Sequence, residues 1–252
     1  MQRGYAVGLS GPAAPAHGEP WVAKERGTGP GRKRPPRSRQ LPSPIVARAA
    51  RPVPGPDRVL TSEEARALIA AAPPHAPTGA RNRALLAMMY RSGLRPGEAV
   101  ALAGDDLDPV AGLVVVRTGR RPWSRRTTGV DATTRHLVTA WLELRRARGI
   151  AEGAPLFCTL AGGTLTGAHL RQITSRLGHR AGVRPRAHPM ALRYANAAEL
   201  ADEGLSEAVI ERHLGLAPAR APSRGRRALE EEAVRAVAAR VWEVPPGRPA
   251  GR

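Results

Sequence analysis

The sequence is short of cysteine, of acidic residues and of long apolar runs. Its one cysteine, Cys158, excludes an internal disulfide framework and a Cys-based zinc site, and it fits a reducing cytoplasm. No run of about 18 apolar residues occurs, so nothing in the chain reads as a membrane span. The opening stretch MQRGYAVGLSGPAAPAHGEP lacks the compact apolar core and small-residue cleavage site of a signal peptide. Only 21 Asp and Glu face 40 Lys and Arg, which gives a formal net charge of +19 over 252 residues. A field of that sign attracts polyanions, nucleic acid first among them. Arg greatly outnumbers Lys, which suits forked contacts to phosphate. A GC-rich genome is the blander source of the same bias, since it raises Arg, Ala, Gly and Pro together.

Residues 1–58 hold eleven Pro and eight Gly, with eleven basic residues against three acidic ones. No helical or strand period is sustained there, and the segment is expected to be a disordered tail. Its cationic patch GRKRPPRSR, residues 31–39, reads either as a non-specific phosphate contact or as a solvated tail. Order is expected from residue 59. Thr61 with Glu64 three residues on is a capping box, and Pro73 and Pro74 stop the helix it starts. TGARNRALLAMMYRSG and RPGEAVAL predict two more helices, the first stopped at Gly93. The period then changes: GLVVVRTG and RRTTGV predict a hairpin over 112–130. Helices are expected at 131–148, about 167–181, 186–204 and SEAVIERHLG. PLFCTL is a brief extended piece. A Pro/Arg loop at 217–227 precedes a final amphipathic helix and tail, 228–252, apolar at Leu229, Val234, Val237 and Val241. The fold class expected is mainly α with a small antiparallel sheet.

Two phrases set the functional reading. RNRALLAMMYRSGLRPGEAVAL places Arg95 just past a helix stop, within Gly-Leu-Arg-x-x-Glu. HPMALRY places Arg193 on a later helix, and between the two lies a hairpin crowded with Arg117, Arg120, Arg121, Arg125 and Arg126. In this order the chain resembles the catalytic domain of tyrosine recombinases, the phage-integrase family of site-specific DNA recombinases. The resemblance runs through residues 59–216, including LTSEEARALIAAA, PLFCTLAGGTLT and AAELADEGLSEAVIERHLG.

The resemblance implies double-stranded DNA as partner, copies assembling on that DNA, and no metal or cofactor. In the family a Tyr hydroxyl attacks a phosphodiester and forms a 3′-phosphotyrosyl bond. Two Arg forks stabilise the developing charge, a hairpin Lys protonates the leaving oxygen, and His residues complete proton transfer. Carried over, Arg95 and Arg193 match the two phosphate-binding arginines. Arg120 stands at the Lys slot, where its high pKa makes it a poor proton donor. His188 matches the outer, non-catalytic His, whereas Met190 and Leu216 stand at the two His slots. His213, three residues before Leu216, is either a substitute or a helix-surface His.

The nucleophile slot is empty of Tyr, since APARAPSRGRR at 217–227 contains none. Of the three tyrosines, Tyr5 lies in the tail and Tyr90 reads as a core residue. Tyr194 adjoins Arg193, but neighbours on a helix point about 100° apart. Nothing marks Ser223 as activated. Decay, a reading-frame change and real divergence all fit this C-terminal stretch. The family's N-terminal helical clamp is also missing from the residues before 59, which predicts weaker affinity and sequence choice. The expected function is therefore DNA binding through a two-Arg phosphate pocket and the basic hairpin, without strand cleavage, in a cytoplasmic protein. The alternatives are a recombinase with an atypical nucleophile, a basic interaction protein reusing the fold, and a non-functional gene product.

Overall fold

The computed structural model describes residues 59–117, 125–183, 187–216 and 223–245. The capping box forms as expected. Thr61 accepts from the Glu64 N–H at 3.2 Å, the Glu64 carboxylate accepts from the Thr61 N–H at 2.9 Å, and α1 spans Ser62–Ala70. Helix α2, Pro77–Arg91, starts on a proline and ends before Gly93, whose φ of +59° turns the chain into α3, Pro96–Ala101. Leu85, Leu86, Met88, Met89 and Tyr90 of α2 are all fully buried, so this helix forms the centre of the core.

The sheet is antiparallel and three-stranded, in the order β1 (Leu107–Asp108), β2 (Leu113–Val116), β3 (Arg126–Gly129). The β2–β3 hairpin is the one expected, whereas β1 adds a third strand of two residues that carries no β-branched run to announce it. Pairing sets Val114 opposite Thr128 and Val116 opposite Arg126, and all four are buried. One face of the hairpin therefore points into the protein and carries Arg126 with it.

Helix α4, Ala132–Ala147, is capped by the buried Asp131, which accepts from the Thr134 N–H at 2.9 Å. PLFCTL, expected to be extended, instead bends at Leu156 and Phe157 and contributes a single isolated antiparallel bridge, Cys158 to Thr164. Helices α5 (Gly167–Ala181), α6 (Pro189–Asp202) and α7 (Glu207–Leu214) follow, and α5 and α7 end on the left-handed glycines Gly182 and Gly215.

The last helix departs from expectation at both ends. Helix α8 runs Ser223–Ala239, so its first turns take in residues expected in the Pro/Arg loop, and it stops before Val241. Tertiary contacts account for the early stop. Trp242 turns inward to 3% exposure, its indole donates to Asp131 at 2.7 Å, and its carbonyl accepts from Thr133 at 2.5 Å. Val237 is buried and Leu229 half-buried, but Val241 is 90% exposed, so it is Trp242 that carries the apolar contact. The helix packs on its own domain, across β3. A Cβ at Gly129 would stand 2.5 Å from the Val234 carbonyl, so that close approach needs glycine. Among the described residues no helix is long and apolar enough to cross a membrane, and no cluster of acidic, His and Cys side chains is fit for a metal ion.

Candidate functional site

The last carbonyls of an α-helix have no partner within the helix and carry partial negative charge. At the end of α7 three successive carbonyls take three guanidinium groups that come from three different elements. The His213 carbonyl accepts from Arg126 Nε at 2.5 Å, the Leu214 carbonyl from Arg193 at 2.5 Å, and the Gly215 carbonyl from Arg95 at 2.8 Å. The Gly93 carbonyl, on the turn after α2, accepts from Arg193 as well and from Arg126 at 3.5 Å. Arg95 and Arg193, 98 positions apart in sequence, thus meet on adjacent residues.

Glu98 is the carboxylate within this cluster. Its Oε1 accepts from Arg95 at 2.7 Å and from Arg126 at 3.1 Å. Its Oε2 accepts from the Arg95 backbone N–H at 2.8 Å and from Arg126 at 3.0 Å. The spacing in Gly-Leu-Arg-x-x-Glu explains this local arrangement: Arg95 is the N-cap of α3 and Glu98 its third residue, so the carboxylate folds back onto the cap. Burial would raise the Glu98 carboxyl, but hydrogen bonds and charge from Arg126, then from Arg95, outweigh it and hold it below its ordinary value. Burial also lowers Arg126. Burial, with Arg126 and Arg95 close by, pushes Arg193 down to about 9, so it stays charged at neutral pH under the repulsion of its neighbours.

The three arginines differ in access. The Arg95 side chain is 34% exposed, whereas Arg126 and Arg193 are enclosed. Both terminal nitrogens of Arg193 donate to carbonyls, and its buried Nε has no hydrogen-bond partner. A guanidinium held by carbonyls keeps its full charge, because a carbonyl is a dipole and cancels none of it.

His213 is not on the surface. It is 1% exposed, its Nε2 lies 2.9 Å from Asn196 Oδ1 and its Nδ1 3.0 Å from Thr128 Oγ1. Burial, then the charges of Arg126 and Arg193, push its pKa well below the ordinary value, so the imidazole is neutral. Both ring nitrogens are engaged within the core, and the role this leaves His213 is to fix α7 against β3 and α6. Its helix carried the signal: Ile210, His213 and Leu214 share the buried face at i, i+3, i+4.

The other sequence-selected residues fall as follows. Met190 and Leu216 are half-buried, and Leu216 packs on the small apolar cluster of Ala197, Leu200, Ile210, Leu214 and Val237. His188 caps α6, exposed, with the Tyr194 ring edge-on at 6.3 Å. Tyr90 is fully buried, its hydroxyl donates to Glu199 at 2.6 Å, and burial, then Glu199, push its pKa up to about 12. Of the five hairpin arginines, Arg117 is 66% exposed and paired with Asp106 at 2.5 Å, and Arg125 is exposed. Arg126 corrects the picture of a uniformly outward cationic hairpin, since its side chain has 0% exposure and belongs to the Glu98 cluster. Strand alternation gave the signal, because Arg126 lies opposite the inward Val116. Arg120, Arg121 and Tyr5 lie outside the described residues, as does the tail at 1–58. Ser223 is the first residue of α8, and the loop before it, 217–222, also lies outside them.

Comparison with known proteins meets this geometry. The Phage integrase family matches residues 58–219. Tyrosine recombinase XerD of Mycobacterium tuberculosis is 33% identical over 184 residues, covering 68% of this chain and 57% of that protein. The type 1 fimbriae regulatory protein FimE of Escherichia coli is 30% identical over 159 residues, 63% of this chain and 79% of that protein. The chain spans about half the length of several curated Xer recombinases that it matches. Among solved structures, XerA recombinase superposes with a TM-score of 0.58 at 22% identity, over 72% of this chain and 65% of that one. XerH bound to its difH substrate before cleavage superposes at 0.54 and 24% identity, over 68% and 49%. At these identities the structural likeness establishes the mainly helical fold with its small sheet.

Proposed function

The chain belongs to the phage integrase family of tyrosine recombinases, and from that premise we propose that it binds duplex DNA at the end of α7 without cutting it. The observation that carries the reading is the cluster of Arg95, Arg126 and Arg193 around one carboxylate, with backbone carbonyls as the other acceptors. A DNA phosphate meets the exposed edge of Arg95 first. Arg193, enclosed behind it, contributes its charge. Arg117 and Arg125 on the hairpin add exposed charge, with Arg120 and Arg121 expected to extend the same surface. Membership of the family also supports copies assembling on DNA and a cytoplasmic location.

Cleavage needs a nucleophile and a proton relay, and the candidate residues are poor at both. Tyr90 is buried with its proton held toward Glu199, and raising its pKa disfavours the phenolate. No tyrosine follows Tyr194 in the sequence. Met190 and Leu216 carry no transferable proton, and His213 is tied off on both nitrogens. The test is a nicked suicide duplex, which traps any covalent intermediate. The expected result is a retarded complex on native gels and no adduct that survives detergent. An adduct would overturn the non-cleaving reading, and its loss in Tyr194→Phe would identify the nucleophile.

A further inference from the structure

Arg126 is counted in the cluster, but the reading so far gives it no task of its own. Its fork spans both oxygens of Glu98, and it reaches the Gly93 carbonyl at the end of α2 and the His213 carbonyl at the end of α7. It therefore ties β3 to three elements that hold Arg95 and Arg193 in place. It also decides the charge. Glu98 alone against Arg95 would form a short-range neutral pair, since the two are already 2.7 Å apart. With Arg126 enclosed beside it at 0% side-chain exposure, the Glu98 charge is met by a second cation that never reaches solvent.

We infer that Arg126 is the positioning residue of this site: it cancels the charge of Glu98, so that Arg95 and Arg193 keep theirs for a DNA phosphate. Arg126 itself touches no DNA. Glu98 stays as the rigid hinge that aims Arg95, and Arg126 removes the electrostatic cost of having a carboxylate there. A buried pair of this kind can be replaced by neutral groups of similar volume with little penalty, whereas removing one partner leaves an uncompensated charge. That asymmetry separates an electrostatic role from a merely structural one.

The inference rests on the DNA-binding reading above, and three variants of the full chain separate the two. Affinity for a fluorescent duplex oligonucleotide is measured across a salt series, with helical content checked by circular dichroism. Arg95→Ala with Arg193→Ala is the control: unchanged binding there would remove the reading of the site itself. Given loss in that control, Arg126→Met is expected to weaken binding at least about tenfold, because Glu98 then draws Arg95 into a neutral pair. Glu98→Gln with Arg126→Met restores the balance and is expected to recover most of the affinity. A structural role predicts the opposite, because the double variant lacks the same fork and would bind as weakly as the single one. Full affinity in Arg126→Met, or no recovery in a folded double variant, overturns the inference. Should Arg126→Met fail to fold, the double variant alone decides: wild-type binding supports the proposal and weak binding refutes it.

Discussion

Two buried arginine networks among the described residues are built on opposite rules. In the network between α2, α6 and the C-terminal segment, Arg91 meets Asp131 at 3.1 Å and Glu199 at 2.9 Å. Arg240 meets Glu199 at 2.5 Å and Glu203 at 2.8 Å, and Arg66 stands 3.5 Å from Glu199. Three cations face three carboxylates there, and the rings of Tyr90 and Trp242 cover Arg91. At the end of α7, three cations share Glu98 among the described residues, and carbonyls supply their other recorded acceptors. The first arrangement consumes charge and binds the C-terminal segment to the body. The second fixes guanidinium geometry while leaving positive charge unspent.

The contrast can be broken by mutation, starting where the largest change is expected. Asp131→Ala leaves Arg91, the Trp242 indole and the Thr134 cap without their shared acceptor. It should cost about 3–5 kcal/mol of stability, read by urea denaturation, and release the C-terminal segment to proteolysis. A smaller loss, of about 2 kcal/mol, is expected for Gly93→Ala. Its φ is +59°, and the new Cβ would stand 2.8 Å from both His213 Nε2 and Leu214 Cδ2. Because the Gly93 carbonyl also holds Arg193 and Arg126, DNA affinity should fall along with the melting temperature.

The pH dependence sharpens the comparison further. His213 is kept neutral in the folded state, whereas in the unfolded chain it protonates near an ordinary pKa of about 6.5. Its contribution is thus complete above about pH 6.5 and is lost as pH falls below that value, by up to about 1.4 kcal/mol per pH unit. His213→Gln, which keeps a donor and an acceptor, should flatten that part of the stability curve. A slope unchanged in the variant would assign the acid sensitivity elsewhere. The smallest effect belongs to the exposed pair Arg227–Glu231, 86% and 55% accessible, where Arg227→Ala should change stability by less than about 0.5 kcal/mol.

Most elements were legible because local chemistry marks their ends. The Thr61–Glu64 box and the stop at Gly93 each act within a few residues, and the structure uses both. Strand β1 was not legible, since two residues paired to β2 leave no periodic trace. The end of α8 was missed for a different reason: its stop depends on Trp242 finding Asp131, 111 residues away in sequence. Motif and order picked out Arg95 and Arg193, which the structure brings onto adjacent carbonyls. The inward turn of Arg126 and the enclosure of His213 were present as strand and helix periods, but charge suggested the surface for both. What no pattern could give is the carbonyl ladder of α7, because it exists only once four elements are packed together.

Two arginines offer a direct test of the central claim, that the cation-rich cluster at the end of α7 serves DNA while the charge-balanced network around Glu199 does not. Arg95 and Arg66 are both 34% exposed, the first in the α7 cluster and the second beside Glu199. Arg95→Gln and Arg66→Gln remove the same formal charge from the protein. The measurement is duplex-DNA affinity against salt concentration for the two variants and the parent chain. The account predicts that Arg95→Gln weakens binding and lowers the salt slope by about one, while Arg66→Gln leaves both unchanged. Equal losses in the two would mean that binding follows total charge alone, and the distinction between the networks would fall.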